Sequence, residues 1–106
     1  MIRLNYNCGY YWLKDTITKD IIGRCSVYDK RNFYEIWSVS VDTKFRQQGY
    51  ATLMLKRIIK KFKDKPLRLY VYKSNDIAIH LYEKLGFKII GEFDGATNAW
   101  TMEYSR

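Results

Sequence analysis

The fold is decided by residues 39–62, which read VSVDTKFRQQGYATLMLKRIIKKF. The residues from Phe33 to Val41 are rich in aromatic and β-branched side chains, which favours a strand. After a loop, apolar residues recur at helical spacing, and the helix should stop near Lys63 because Pro66 disfavours helical geometry before it. The sequence therefore predicts a strand, a loop and a helix. The apolar stripe of the helix is Ala51, Leu55, Ile58 and Phe62, while Lys56, Arg57, Lys60 and Lys61 turn the other way.

The loop between this strand and this helix, from Arg46 to Ala51, places small residues where the helix begins. The first N–H groups of a helix lack an internal partner, and the helix dipole gives that end a partial positive charge. We therefore predict an anion site, suited to a phosphate, at the start of the helix.

The rest of the chain predicts six further strands and a second helix. Turn-forming residues separate several strands, as at Asn7-Cys8-Gly9 and Asp94-Gly95. The second helix has N-cap candidates from Ser74 to Asp76 and a left-handed glycine cap at Gly86. The strands are expected at residues 3–7, 10–16, 21–27, 67–72, 87–93 and 99–104. The more apolar face of the third strand consists of Ile21, Gly23, Cys25 and Val27. The apolar stripe of the second helix consists of Ile77, Ala78, Leu81, Tyr82 and Leu85.

The element order is therefore β-β-β-β-α-β-α-β-β, which predicts one α+β domain over residues 1–106, with a mixed sheet and two crossover helices. With 106 residues, 47% of them apolar, the chain can bury one core. No apolar run reaches the roughly 18 residues of a membrane span and no cleavable leader is evident, so we expect a soluble cytoplasmic protein. Cys8 and Cys25 match no metal motif and are expected to be reduced strand residues.

The formal charge of +8 is concentrated in one stretch. Between Lys44 and Arg68 there are nine basic residues and one acid, Asp64, so this stretch accounts for the whole net charge. Such a concentration fits a polyanionic cofactor, a nucleic acid or an acidic protein partner. The alternative is a solvated helix face, which we favour for Lys60, Lys61 and Lys63.

Two motifs, one strand apart, occupy the second half of the chain. Arg46, Gly49 and Ala51 match the pattern Arg/Gln-x-x-Gly-x-Gly/Ala after a strand, and Asn75 to Phe87 match Asn-x-x-Ala-x-x-Leu-Tyr-x-x-x-Gly-Phe. Both patterns, in this order and at this separation, resemble the GNAT superfamily of acyl-CoA N-acyltransferases over residues 21–104. The resemblance implies an N-acetyltransferase that moves an acetyl group from acetyl-CoA to a primary amine by direct attack in a ternary complex.

The resemblance also implies where the cofactor binds. In the family, backbone N–H groups of the first motif hold the pyrophosphate of coenzyme A, with the motif arginine beside it. The preceding strand splays from its neighbour in a mostly antiparallel sheet, and the pantetheine arm pairs with its exposed backbone. The N–H of Val39 would polarise the thioester carbonyl, and Asn75 would hydrogen-bond the arm. The implied cofactor-binding residues are Val39, Ser40, Val41, Arg46, Gln47, Gln48, Gly49, Tyr50, Ala51 and Asn75.

Two residues are implied to transfer protons. Glu35 lies fourteen residues before Gly49, where histone-acetylating members place their general base, and its alternative is a solvent-facing strand carboxylate. Other members carry a glutamate on the next strand, but Tyr70 stands there, so that route is expected to be closed. Tyr82 occupies the general-acid position, and its alternative is a core aromatic. No metal is expected, and His80 is interpreted as a surface residue.

The first strands depart from the family. Most relatives place two helices there that roof the acceptor site, and residues 10–27 leave no room for them. The acceptor cleft is therefore expected to be open, which suits a protein or peptide amine better than an enclosed small molecule. Two other hypotheses are a nucleic-acid-binding module using Lys56 to Arg68, which the two motifs disfavour, and a catalytically silent acyl-CoA-binding fold. The sequence leaves open the acceptor and whether the protein is a homodimer.

Overall fold

The computed structural model describes residues 1–93 and 96–105, and its strands and helices follow the predicted order. The predicted link at Asp94-Gly95 lies outside the described residues. A short 3₁₀ turn at Thr43–Phe45 precedes the first helix. The elements are β1 Ile2–Asn7, β2 Tyr10–Asp15, β3 Ile21–Asp29, β4 Tyr34–Val41, α1 Tyr50–Lys61, β5 Leu67–Tyr72, α2 Asp76–Leu85, β6 Lys88–Phe93 and β7 Ala96–Tyr104.

The strands form one sheet in the order β1-β2-β3-β4-β5-β7-β6. The pair β4 and β5 is parallel, and every other neighbouring pair is antiparallel. A parallel pair needs a long crossover, which α1 supplies between β4 and β5. The predicted α+β class, with a mixed and mostly antiparallel sheet, is confirmed.

The parallel pair at the centre of the sheet separates early. Tyr34 lies opposite Leu67 and Glu35 opposite Arg68, and the β4–β5 ladder ends there. Beyond Glu35, the edge of β4 that faces β5 therefore has no strand partner in the described sheet. The splayed strand pair that the family resemblance implied is thus confirmed.

Both helices pack on one face of the sheet. Met54, Leu55 and Ile58 of α1 and Tyr82 of α2 are buried in the same core cluster as the inward residues of the strands. The described part of the chain has no helix over the opposite face, because β1 passes directly into β2 through the Cys8-Gly9 turn. We call this uncovered side the open face. Among the described helices, none has the length and apolarity needed to cross a membrane.

The β1–β2 turn explains the placement of the two cysteines. Cys8 and Gly9 both have positive φ, 51° and 83°, as the tight turns of two-residue hairpins require. Cys8 therefore lies in an exposed turn, and its assignment to a strand was wrong. Cys25 is buried in β3 as predicted, and both thiols are free.

A β-bulge changes which isoleucine is buried at the start of β3, while Gly23, Cys25 and Val27 of the predicted apolar face are buried as expected. The register shifts between Leu13 and Lys14, so that Leu13 opposes Gly23 whereas Lys14 opposes Ile21. Ile22 is consequently buried in the core, while Ile21, which was predicted to share the apolar face, is only half-buried.

One residue on each helix lies in different surroundings from those predicted. Ile77 is 85% exposed, because it lies in the first turn of α2 and about 100° around the helix from Ala78. Arg57 of α1 is not on the solvated face, since its Nη1 donates a hydrogen bond to the Ile2 carbonyl at 2.9 Å. The left-handed cap at Gly86, with φ 107°, is confirmed.

Candidate active site

A cleft of about 320 Å³ passes through the sheet where β4 and β5 diverge. Ile36 lines it from the helix side and Trp37 from the open face, because successive strand residues point to opposite faces. Val39, Asn75 and Tyr82, three of the predicted site residues, line the same cleft. Side chains from both faces of the sheet therefore line the cleft.

The strand β4 is irregular where it lines the cleft. The β3 residues 24 and 26 oppose the β4 residues 40 and 37, so Ser38 and Val39 together face Cys25. Ser38 has φ 57°, a left-handed conformation that costs a non-glycine residue about 1–2 kcal/mol. A bulge of this kind redirects a strand and ends its regular pairing. Ser38 was not predicted, since no glycine marks the position.

Tyr82 presents a buried phenol to the cleft. Its side chain is 9% exposed, and its hydroxyl makes no hydrogen bond with another described residue. Burial raises the pKa of Tyr82, and the neighbouring Cys25 adds to the shift. The hydroxyl therefore keeps its proton at neutral pH and can donate it to a group in the cleft.

Asn75 caps α2 and faces the cleft. Its Oδ1 accepts a hydrogen bond from the Ala78 N–H at 3.2 Å, as an N-cap residue does. Its Nδ2 makes no hydrogen bond within the described structure. One side chain can therefore cap the helix with its oxygen and offer a donor to a bound molecule with its nitrogen.

Glu35 lies on the open face at the last β4–β5 pair and does not line the cleft. Its side chain is only 13% exposed. Trp37 Nε1 donates to Oε1 at 2.5 Å, and the Tyr70 hydroxyl donates to Oε2. Lys30 Nζ is 3.9 Å from Oε1. Glu35 is thus neither a solvent-facing carboxylate nor in direct contact with the cleft, to which Tyr70 connects it.

A second pocket, of about 400 Å³, lies beside the cleft on the open face. Glu35 and Arg68 line it, and Tyr70 and Phe93 line both cavities. The Tyr70 ring centroid is 4.2 Å from that of Phe93 and 4.9 Å from that of Trp37. Aromatic faces beside a carboxylate suit an ammonium group. We call this cavity the open-face pocket.

The start of α1 offers unpaired N–H groups. Gly49, with φ 82°, is the N-cap, and no side chain caps the helix. The Leu53 N–H is the first to bond back, to the Gly49 carbonyl at 3.0 Å, so the N–H groups of Tyr50 and Ala51 have no partner among the described residues. A Cβ on Gly49 would meet no atom within 4 Å. The cradle therefore has the space and the donors that a phosphate requires.

The sequence profile of the Acetyltransferase (GNAT) family matches residues 2–87. The chain belongs to the GNAT family. It is 29% identical over 93 residues to a spermine/spermidine N(1)-acetyltransferase of Bacillus subtilis and 33% identical over 88 residues to a mycothiol acetyltransferase of Corynebacterium aurimucosum. These matches cover 81% and 79% of this chain but only 61% and 25% of the two relatives.

Solved GNAT structures share the fold. A GNAT family acetyltransferase from Elizabethkingia anophelis, with acetyl-CoA bound, superposes with a TM-score of 0.80 at 24% identity. The superposition covers 92% of this chain and 75% of that one. At this level of identity the match establishes the shared fold.

Two side chains of the first motif, which starts at Arg46, brace the loop before α1. Arg46 Nε donates to the Val41 carbonyl at 2.9 Å, and Gln48 Nε2 donates to the Lys44 carbonyl at 3.2 Å. Both side chains are exposed, so the remaining guanidinium nitrogens of Arg46 are accessible to a ligand. His80 is exposed on α2, as predicted. No metal-binding group of histidine, cysteine or acidic residues occurs in residues 1–93 and 96–105.

Proposed function

We propose that this GNAT protein is an N-acetyltransferase that transfers an acetyl group from acetyl-CoA to a primary amine in a ternary complex. The observation that carries the proposal is the cleft through the sheet between β4 and β5, with Tyr82 on its wall and the open-face pocket beside it. A passage of this kind lets the donor enter from the helix side and the amine from the open face. The names of both curated relatives, which are acetyltransferases, support the same reaction.

Acetyl-CoA supplies the acetyl group as a reactive thioester. The N–H groups from Gln47 to Ala51 would bind its pyrophosphate, supported by Arg46. The backbone of Val39, Ser40 and Val41 would pair with the pantetheine arm, because β4 lacks a partner there. The Val39 N–H would polarise the thioester carbonyl, and Asn75 Nδ2 would donate to the arm.

Two side chains transfer protons in this proposal. A primary amine has an ordinary pKa near ~10.4, so at neutral pH it must lose a proton before it can attack. Glu35 accepts that proton, and Tyr82 donates one to the departing sulfur. Burial raises the pKa of Tyr82, so the phenol carries its proton at neutral pH and has it available for the sulfur.

The acceptor would reach the cleft across the open face. Glu35 and the rings of Tyr70 and Phe93 form a wall suited to an ammonium group on a flexible chain. Both a polyamine, as the name of the Bacillus subtilis relative suggests, and a lysine or N-terminus of a protein meet this description. The absence of a roofing helix in the described chain places no limit on acceptor size.

Internal contacts argue against nucleic-acid binding by the basic stretch. Its cations would need to be free to meet phosphates. Five of the nine instead contact the protein itself, through ion pairs or hydrogen bonds to carbonyl groups. These five are Lys44 with Asp20, Arg46 with Val41, Arg57 with Ile2, Lys65 with Asp29 and Arg68 with Glu103.

The test is an assay with acetyl-CoA and three acceptors: spermidine, a lysine-containing peptide with a blocked N-terminus, and a lysine-free peptide with a free one. Release of the CoA thiol and mass spectrometry of the acceptor should identify at least one acetylated product. Tyr82→Phe should bind CoA normally and turn over slowly. Normal acetyl-CoA binding without any acetylated acceptor would favour the catalytically silent fold instead.

A further inference from the structure

Tyr70 stands between Glu35 and the cleft. Its hydroxyl donates to Glu35 Oε2, and its side chain lines both the cleft and the open-face pocket. Glu35 lines only the pocket. An amine nitrogen placed at a thioester in the cleft therefore has Tyr70, and not the carboxylate of Glu35, on the wall beside it.

The carboxylate of Glu35 is held by donors on both oxygens. Trp37 bonds to Oε1 and Tyr70 to Oε2, which fixes its orientation. The charged and titratable groups near it, besides Tyr70, are Lys30 at 3.9 Å, Arg68 opposite on β5, Tyr28 opposite on β3 and, in the same pocket, Glu92. Arg68 is already engaged, since its Nε lies 2.7 Å from the carboxylate of Glu103. The Tyr70 hydroxyl is therefore the titratable contact of Glu35 that also lines the cleft.

We propose that Tyr70 relays a proton from the acceptor amine to Glu35, a role that rests on the proposed acetyl transfer. A phenol that donates its hydrogen to a carboxylate still has an oxygen lone pair for an incoming N–H. As the ammonium gives one proton to Tyr70 Oη, the phenolic proton passes to Glu35 Oε2. Glu35 then releases that proton to water.

The proton balance of the reaction fits this path. Transfer forms a C–N bond and breaks the thioester C–S bond, whose electron pair stays on sulfur and accepts the Tyr82 proton. The second proton that the nitrogen loses restores the Tyr82 phenol. One proton per turnover therefore has to leave, and it leaves through Tyr70 and Glu35.

The competing explanation is that Tyr70 only supports the aromatic wall. Tyr70→Phe separates the two, because the ring and its contacts with Trp37 and Phe93 remain while the hydroxyl is lost. The matched control is Tyr10→Phe, which removes a phenol from the same face, on β2, where the side chain is 40% exposed.

The first measurement needs no substrate. Trp37 Nε1–H donates to Glu35, so its indole N–H signal in NMR spectra reports the state of that carboxylate. Tyr70→Phe and Glu35→Gln should both move the signal, Tyr10→Phe should not, and Trp37→Phe assigns it among the three tryptophans. A signal that Tyr70→Phe leaves in place would overturn the relay.

The second measurement is the pH dependence of turnover. Tyr70→Phe and Glu35→Gln should each lower kcat/KM by about 10²-fold or more at pH 7, with recovery at alkaline pH as the amine becomes neutral. CoA affinity should not change, and the double variant should lose no more than either single one, because both residues act on one proton. Three results would overturn the relay but not the proposed acetyl transfer. They are losses of kcat/KM that multiply in the double variant, a loss of kcat/KM that is independent of pH, and a wild-type kcat/KM in Tyr70→Phe. A wild-type protein that acetylates no amine would overturn both proposals.

Discussion

Replacing Gly49 with alanine should separate cofactor binding from stability. Gly49 holds φ 82°, where alanine costs about 1–2 kcal/mol, and the added Cβ meets no protein atom within 4 Å. Backbone strain is therefore the only source of lost stability, and Tm should fall by about 4–8 °C for each kcal/mol lost from the free energy of unfolding. The protein should remain folded at 25 °C, because domains of this size have about 5–15 kcal/mol of stability.

The same methyl group should strongly weaken CoA binding. It occupies the space beside the N–H groups of Tyr50 and Ala51, where we place the pyrophosphate. A hydrogen bond to a charged group contributes about 1.5–3 kcal/mol, so the loss of one weakens binding roughly 10- to 150-fold. Isothermal titration calorimetry with CoA measures the change, and a thermal melt measures the stability of the same sample.

Gly86→Ala is the matched control. Gly86 also has a left-handed backbone conformation, and a Cβ there would lie 2.9 Å from the Tyr104 ring. The Gly86→Ala variant should therefore lose at least as much stability as Gly49→Ala. CoA affinity should nevertheless stay at the wild-type value at 25 °C. Wild-type affinity in Gly49→Ala, together with the expected fall in Tm, would refute the placement of the pyrophosphate. Equal weakening by Gly86→Ala would show that lost stability, not lost contact, reduces binding.

Three further predictions follow from burial. Tyr82→Phe should lower kcat by about 10²- to 10⁴-fold without changing CoA affinity, and an unaltered rate at neutral pH would make Tyr82 a core aromatic. Because burial raises the pKa of Cys25 to about 12, a thiol reagent at pH 8 should modify only Cys8 in the native protein, and rapid loss of both thiols would contradict this. Ile22→Ala should lower the free energy of unfolding by about 2–5 kcal/mol and Ile77→Ala by less than about 0.5 kcal/mol, as measured by chemical denaturation. Equal losses in the two variants would contradict the burial assigned to the two side chains.

Features that depend on local patterns were predictable from the sequence. The period of two from Leu67 to Tyr72 identified β5, and Gly86 marked the end of α2 because only the left-handed conformation continues the chain there. The loop from Arg46 to Ala51 was found in the same way, since small residues at a helix start have a local signature. These features require no knowledge of which strands are neighbours.

Features that depend on strand pairing were not predictable. The bulge at Ser38 has no glycine to mark it, and the register shift beside Leu13 moved Ile22 into the core against the apparent alternation. Tyr70 was expected to close the route that a glutamate at this position provides in other members of the family. Its bond to Glu35, 35 residues away, exists because β4 and β5 are parallel neighbours, and no period in the sequence contains that information.

The start of α1 and the open-face pocket differ in the charge they offer. The start of α1 offers N–H groups and Arg46, in a chain of net charge +8. The open-face pocket is bordered by the carboxylates of Glu35 and Glu92 and by Arg68, which is paired with Glu103, while Glu92 is paired with Lys73. Lys30, the nearest cation to Glu35, is 49% exposed and 3.9 Å away, so their ion pair contributes at most about 1 kcal/mol. Lys30 would therefore oppose only weakly the approach of an ammonium group to Tyr70. In the proposed reaction, Arg46 and the N–H groups at the start of α1 would hold the phosphates, and the carboxylates of the open-face pocket would lie where the amine enters.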